Sequence, residues 1–344
     1  MSPSIVGLDI GTDSIRAVEV SGAGKGKRTV VRHQQITLPE GAVKNGEVAE
    51  QNTVTAALRQ LWSNGKFGSK NVVLGVGSSK VLVRDVSVPK LSYKEIIASL
   101  PAYVQDMLPV PVADALLDFY PTAETATETG PVVQGLLVAA VKDSVLANVT
   151  AVQKAGLSPV SVDLIPFALT RMHSMANNLA FIDIGARTTN VIVTTNGIPQ
   201  FVRIIPTGGH DLTAALADRL SLTEQQAEQL KLSLGLGTAG VSQENLPVVQ
   251  VIREVTAELL NSLRNTLAYF ANTRQSEPYA GLVLSGGASN LGGFADALGE
   301  ITRIPITVVD PFTRVNVPKQ FQSVGANERK SLTVALGLAI GGVA

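Results

Sequence analysis

Asp9 and Asp183 stand where chemistry is most readily built. Leu8-Asp9-Ile10-Gly11-Thr12-Asp13-Ser14-Ile15-Arg16-Ala17-Val18 returns as Ile182-Asp183-Ile184-Gly185-Ala186-Arg187-Thr188-Thr189-Asn190-Val191-Ile192, displaced by 174 positions. Each copy is an apolar strand ending in Asp, a glycine-containing turn with hydroxyls, and a second apolar strand, which is a β-hairpin pattern. The turn Gly11-Thr12-Asp13-Ser14 has the make-up of a phosphate grip. Glycine lets the backbone come close, successive amides can point at oxygens, and Ser14 adds a donor. Gly185, Thr188 and Thr189 repeat those features in the second copy. Carboxylates cannot usefully meet phosphates directly, so Asp9 and Asp183 would act through Mg²⁺ and the water shell it retains. One such motif alone is more often an ordinary hairpin with a polar turn; two copies in phase favour the ligand grip.

Two further segments carry the same kind of signal. Leu282-Val283-Leu284-Ser285 reads as a buried strand followed by Gly286, Gly287 and Asn290, where paired glycines would let a flat ring or sugar pack on the backbone. Taken alone, this is a common strand-to-helix turn. Pro206-Thr207-Gly208-Gly209-His210-Asp211 opens a helix whose first-turn amides, at Gly208 and Gly209, could meet phosphate. Glu228 and Lys231 then lie three apart on one helical face. They suit ribose hydroxyls and a purine ring respectively, or equally a solvated surface ion pair. His210 has no carboxylate or nucleophile in a matching arrangement and reads as a capping or solvated histidine.

Composition bounds these readings. The chain has 344 residues, enough for two or more domains, with 45% hydrophobic and 16% charged residues. Its 28 basic and 28 acidic side chains cancel, which argues against nucleic acid and against an anionic membrane as partner. With no cysteine, thiolate chemistry and disulfides are excluded; three histidines without ligand spacing argue against an imidazole metal site. The N-terminus has neither the basic start nor the apolar run of a signal peptide, so a cytoplasmic protein is expected. The apolar run Leu332 to Ala344 is too short to span a bilayer and reads as a buried helix. Direct membrane insertion is not expected.

The elements that must hold these residues alternate between strand and helix, so the fold class is α/β. Val54, Leu58 and Leu61 mark a helix, and Val255, Leu259, Leu263, Leu267 and Phe270 mark the buried stripe of another over Val251 to Phe270. The two hairpins, half a chain apart, imply two related lobes. Residues 1–80, 157–178 and 325–344 would form lobe I, residues 179–324 lobe II, and residues 81–156 an inserted α+β subdomain. Within the insertion, Tyr93 to Leu108 reads as a helix that Pro101 must break or kink, and Glu124 to Gly130 as a flexible hairpin loop.

Phosphate hairpin, second phosphate hairpin, Glu-x-x-Lys helix, Gly-Gly turn and small-residue C-terminal helix, in this order, resemble the actin/hexokinase-like ATPase superfamily. Ala335 to Ala339 and Phe167 to Leu169 look like its two connecting helices. Within it, Leu38-Pro39-Glu40-Gly41, Val86-Ser87-Val88-Pro89, Leu108-Pro109-Val110-Pro111 and Val162-Asp163-Leu164-Ile165-Pro166-Phe167 resemble the type IV pilus assembly PilM family, related to FtsA, over nearly the whole chain. The resemblance implies two lobes clamping ATP or ADP with Mg²⁺, Gly286-Gly287 at the adenosine, and an insertion equivalent to the 1C (SHS2) subdomain. It also implies a location at the inner face of the cell membrane through partners: the N-terminal cytoplasmic tail of PilN and, through it, PilO. Self-association is compatible with it.

Binding rather than turnover is the expected function. Asp163 is the one polar residue near the first connecting helix that could orient a water for hydrolysis, although a structural cap is its favoured role, and any ATPase activity would be slow. The alternatives are an FtsA-like polymerising division protein, which would need an amphipathic terminal anchor, and a small-molecule kinase, for which the insertion offers no catalytic aspartate.

Overall fold

The computed structural model describes residues 4–22, 28–128, 130–173, 177–237, 240–274 and 278–342. Met1 to Pro3 of the N-terminal reading, Thr129 of the predicted loop and Val343-Ala344 of the apolar C-terminal run lie outside them.

In lobe I, β1 (Ser4–Ile10), β2 (Ser14–Ser21) and β3 (Thr29–Thr37) form an antiparallel meander. The short pair β4 (Val43–Lys44) and β5 (Glu47–Val48) and helix α1 (Gln51–Gly65) lead to β6 (Asn71–Val76), which adds parallel to β1. The insertion follows as β7 (Val81–Pro89), α2 (Tyr93–Val104), β8 (Ala115–Thr127) and β9 (Gly130–Val141). Then α3 (Lys142–Lys154), β10 (Ser158–Leu164), parallel to β6, and α4 (Ile165–Thr170) complete the first half.

Lobe II repeats the plan. The meander is β11 (Asn178–Ile184), β12 (Thr189–Thr195) and β13 (Ile198–Ile205). Helices α5 (Gly209–Leu220), α6 (Glu224–Leu234) and α7 (Leu246–Arg274) precede the parallel strand β14 (Gly281–Ser285). The chain then runs through α8 (Phe294–Thr302), β15 (Ile306–Val308), α9 (Ala326–Ser331) and α10 (Thr333–Gly341). Sheet order β10-β6-β1-β2-β3 in lobe I is matched by β15-β14-β11-β12-β13 in lobe II. The predicted duplication is therefore one of topology as well as of motif. Strands β1 and β11, covered on both faces, are apolar almost throughout. Their one acidic residue stands at the penultimate position, where each strand leaves its sheet.

Helices α4 and α10 lie between the two sheets. α10 packs on β1, β2 and β6, while α4 packs on β11 and β12 and on α10. One buried cluster, including Val18, Val73, Leu169, Leu336, Phe181 and Ile192, runs through both lobes by way of this pair. Contact this close needs glycine: a Cβ on Gly7 would fall on the backbone of Ala335, and one on Gly337 on the backbone of Ala168.

Several expectations are revised. Helix α2 ends at Val104 and passes into a 3-10 turn, Gln105–Met107, rather than running to Leu108. It also continues past Pro101, because Ile96, Leu100 and Val104, spaced four apart, are buried against Phe119 and Leu137 on both sides of the proline. The Glu124 to Gly130 segment is mostly strand, with β8 paired to β9 as far as Thr127 and Gly130. Its threonines favour an extended backbone. Helix α3, assigned to the insertion, packs on α1 and β5, and its Ala151 and Val152 belong to the lobe I core, so the insertion proper is residues 81–141. Residues 311–317, assigned to lobe II, return to lobe I, where Asn316 exchanges backbone hydrogen bonds with Arg28 and Val30 at the edge of β3. Helix α7 runs past the predicted Val251 to Phe270 at both ends.

Candidate functional site

The two hairpin turns face one another across a cleft of about 330 Å³. Each turn is closed by the same bond, Gly11 N donating to Ser14 O at 3.0 Å and Gly185 N to Thr188 O at 2.9 Å. From lobe I the cleft receives Asp9, Gly11, Thr12, Asp13, Ser14 and Arg16; from lobe II it receives Asp183, Gly185, Arg187 and Thr188, then Gly209, His210, Glu228, Lys231, Gly286 and Gly287. Asp9 and Gly287, 278 residues apart in sequence, thus share one cavity, of a size used for small ligands.

Asp9 and Asp183 are both buried, at 7% and 6% exposure. Burial raises the pKa of Asp9 against the opposing pull of Arg16, whose Nη1 lies 3.4 Å from Asp9 Oδ2. Asp183 is pushed up to about 6, mainly by burial and further by the Asp9 charge, while the Ser285 hydroxyl, 2.8 Å away, and Arg16 pull it down. Two buried carboxyls, both with raised pKa, in one cleft wall form a site for positive charge. Beside them the Arg16 Nε and Asn190 Oδ1 atoms are buried without a protein partner. Asn190 stands opposite Asp183 in its hairpin as Arg16 stands opposite Asp9. An unpaired buried donor and acceptor next to an acidic pair fit a hydrated cation and a phosphate, so the residues present suit Mg²⁺ and a nucleotide.

The Gly-Gly turn after β14 is as close-packed as its sequence implied. Gly286 has φ +88°, and a Cβ there would overlap the backbone of Ile184. Only glycine keeps this turn against β11 and beneath the cleft.

Other roles change. Gly208 and Gly209 do not offer free amides: Gly208 N donates to Asp211 Oδ2 at 2.7 Å, Gly209 N to Gly185 O at 2.9 Å, and His210 N to Ala186 O at 2.7 Å. The α5 N-terminus is spent on bracing the second hairpin turn. Lys231 is not a solvated surface cation but 6% exposed, with Nζ on Gly209 O at 3.0 Å, Thr213 Oγ1 at 2.9 Å and Glu228 Oε2 at 2.6 Å. All three ammonium protons are used, leaving only the aliphatic stem to face a base. Thr189 is fully buried, donating to Thr207 O at 2.7 Å. Asn290 accepts from Lys330 Nζ at 3.1 Å, which ties lobe II to α9. Asp163 is outside the cleft lining, its carboxylate held by Arg171 at 2.5 Å and by the Leu164 amide at 2.8 Å, the arrangement of a structural cap rather than a water-positioning group.

Arg16, Asn190, Arg187 and His210 line the cleft without having been assigned there. For Arg16 the signal was present: with Ile10 opposite Ile15 across the turn, Arg16 must stand opposite Asp9 on the same face of the sheet.

Two duplicated lobes of this strand order, joined by two packed helices and facing across an acidic cleft, define an actin-like ATPase fold. The family model of the type IV pilus assembly protein PilM matches residues 7–343, and the chain belongs to that family. Among solved structures, the PilM-PilN type IV pilus biogenesis complex is similar with a TM-score of 0.87 and 29% identity, over 99% of this chain and 98% of that one. MreB5 of Spiroplasma citri bound to ADP shares the fold, with a TM-score of 0.56 and 14% identity over 98% and 95% of the two chains. Among curated proteins, the cell division protein FtsA of Borreliella burgdorferi is 23% identical over 46% of this chain and 41% of its own length. FtsA of Bacillus subtilis is 21% identical over 93% and 82%. The alignment with the Borreliella burgdorferi protein thus spans about two fifths of that protein's length. Among the described residues, no helix is long and apolar enough to cross a membrane.

Proposed function

We propose that this chain is an ATP-binding platform of the type IV pilus inner-membrane assembly. In this reading it works at the cytoplasmic face and captures the short N-terminal tail of a PilN-like membrane protein, through which PilO is engaged. The observation that carries the reading is the two-hairpin cleft, which lies in a chain similar along its whole length to a PilM solved with PilN.

In this reading Asp9 and Asp183 hold a hydrated Mg²⁺, the Gly11–Ser14 and Gly185–Thr188 turns hold phosphates, and Gly286-Gly287 supports the adenosine with Glu228 at the ribose. Bound Mg²⁺ supplies the positive charge that lets a triphosphate approach two aspartates. The nucleotide touches both lobes at once, so its binding sets the angle between them and hence the surface offered to the partner. In this reading binding rather than turnover is the function, and Asp163, weighed as a water-positioning residue, is engaged instead by Arg171 and the Leu164 amide.

The test is a pull-down of purified protein, with and without ATP and Mg²⁺, against synthetic cytoplasmic tails of the membrane proteins encoded beside it. One tail should bind saturably, and Asp9→Ala should weaken that binding to the level seen without nucleotide. Failure of every tail to bind, together with nucleotide-dependent filaments in the pellet after ultracentrifugation, would replace this reading with an FtsA-like polymerising one.

A further inference from the structure

Four carboxylates (Asp9, Asp13, Asp183 and Glu228) and three permanent cations (Arg16, Arg187 and Lys231) line the cleft. A polyphosphate entering it needs cations that are free to turn towards it. Lys231 is saturated by Gly209 O, Thr213 Oγ1 and Glu228. Arg16 is drawn to Asp9. Arg187 differs from both: its guanidinium Nη2 lies 2.7 Å from His210 Nε2, and among the described residues no carboxylate pairs with it. A guanidinium can only donate, so in this contact the Nε2 atom of His210 is the acceptor. The Glu224 carboxylate comes no nearer than 3.8 Å to the same ring nitrogen.

The position of Arg187 is as telling as its partner. It lies inside the Gly185–Thr188 turn, and its counterpart in the first hairpin, 174 positions earlier, is Asp13. The duplicated turns have thus diverged to opposite charge at one position. With the α5 amides committed to Gly185 O and Ala186 O, lobe II has little else of positive character to present from this turn.

We propose that Arg187 is the phosphate-binding cation of lobe II, and that His210 holds its side chain in reserve until a nucleotide draws it off. The inference rests on the nucleotide reading of the cleft and assigns that site a residue and a state change. An arginine fork makes stronger, two-point, charge-assisted bonds to phosphate than its single bond to an imidazole nitrogen, so the exchange runs towards the ligand. The contact with His210 is lost in the bound state and therefore opposes binding. Removing the arginine weakens nucleotide affinity; removing the histidine strengthens it.

Isothermal titration of the full chain with ATP and Mg²⁺ tests both halves. Arg187→Ala is expected to bind ATP at least about tenfold more weakly than the wild type, and Arg187→Lys to fall between them. His210→Ala is expected to bind ATP about two- to tenfold more tightly than the wild type, the gain from removing an opposing contact of ordinary hydrogen-bond strength. That gain is a readout which mere loss of support for α5 would not produce. Circular dichroism melts of each variant confirm that the fold is kept. Wild-type ATP affinity in Arg187→Ala would overturn the assignment of the arginine, and unchanged or weakened binding in His210→Ala would overturn the role of the histidine. Either result leaves the nucleotide reading standing. No heat from the wild type at millimolar ATP would overturn both that reading and this inference.

Discussion

Lys231 shows how one side chain can be legible in spacing and illegible in state. Its place three residues from Glu228 made the pair visible, but an i, i+3 pair is usually solvated, and nothing local to α6 says otherwise. What buries Lys231 is α5, whose Gly209 carbonyl and Thr213 hydroxyl close on the ammonium. The ion therefore acts as a tie between α5 and α6. Lys231→Met should leave Gly209 O without its buried donor and destabilise the protein by about 1–3 kcal/mol, well above the cost of losing an exposed pair. Urea denaturation of the variant beside Arg219→Met, which removes the exposed Arg219–Glu254 pair, checks the contrast.

At the scale of elements, α10 depends on residues outside itself. Its apolar, small-residue sequence was readable as a buried helix, and Val334 to Ala339 are indeed buried. The depth to which it sinks on β1 is set by Gly7, where any Cβ meets the Ala335 carbonyl. Backbone on backbone cannot yield as two side chains can. Gly7→Ala should therefore cost at least the roughly 3 kcal/mol at the upper end of overpacking, and lower the urea midpoint accordingly. Gly237→Ala, where an added methyl meets open space at an ordinary φ, should shift the midpoint little.

For the whole molecule, the lobes are joined by more than the α4–α10 pair. The segment after β15 returns along the edge of β3, where His33 packs against Phe312 and Phe321 with ring centroids 6.4 and 5.0 Å away. Glu328 is its acidic neighbour, 3.6 Å from Nδ1, and the nearby Asp310 is engaged by Arg329 at 3.1 Å. Burial lowers the His33 pKa below 6.5, and the Glu328 charge opposes that only partly. As pH falls, the unfolded chain takes up this proton first, so the stability contributed by a neutral His33 is full above pH 6.5 and declines below it. Burial and Arg314 lower His173 in the same direction. Asp183, raised to about 6, takes up its proton in the folded chain first and so opposes this trend over the same interval. The check is therefore differential: in thermal melts from pH 7.5 to 5, the midpoint of His33→Leu should lose less on acidification than that of the wild type.

The sequence by itself determined the α/β class, the duplication, both Asp-ended hairpins and the close-packed Gly-Gly turn, because each is written in a short run of residues whose types limit the local backbone. It also reached the family, through motifs whose order survives without coordinates. Only the tertiary structure decided what those residues are free to do. Whether the α5 amides can meet a phosphate depends on the carbonyls of Gly185 and Ala186, more than twenty residues earlier. Whether Asp163 can position water depends on Arg171, and whether α3 belongs to the insertion depends on α1. Hydrogen-bonding capacity and burial are consumed by whichever groups the fold brings near, and a one-dimensional pattern names the groups without saying which of them remain unspent.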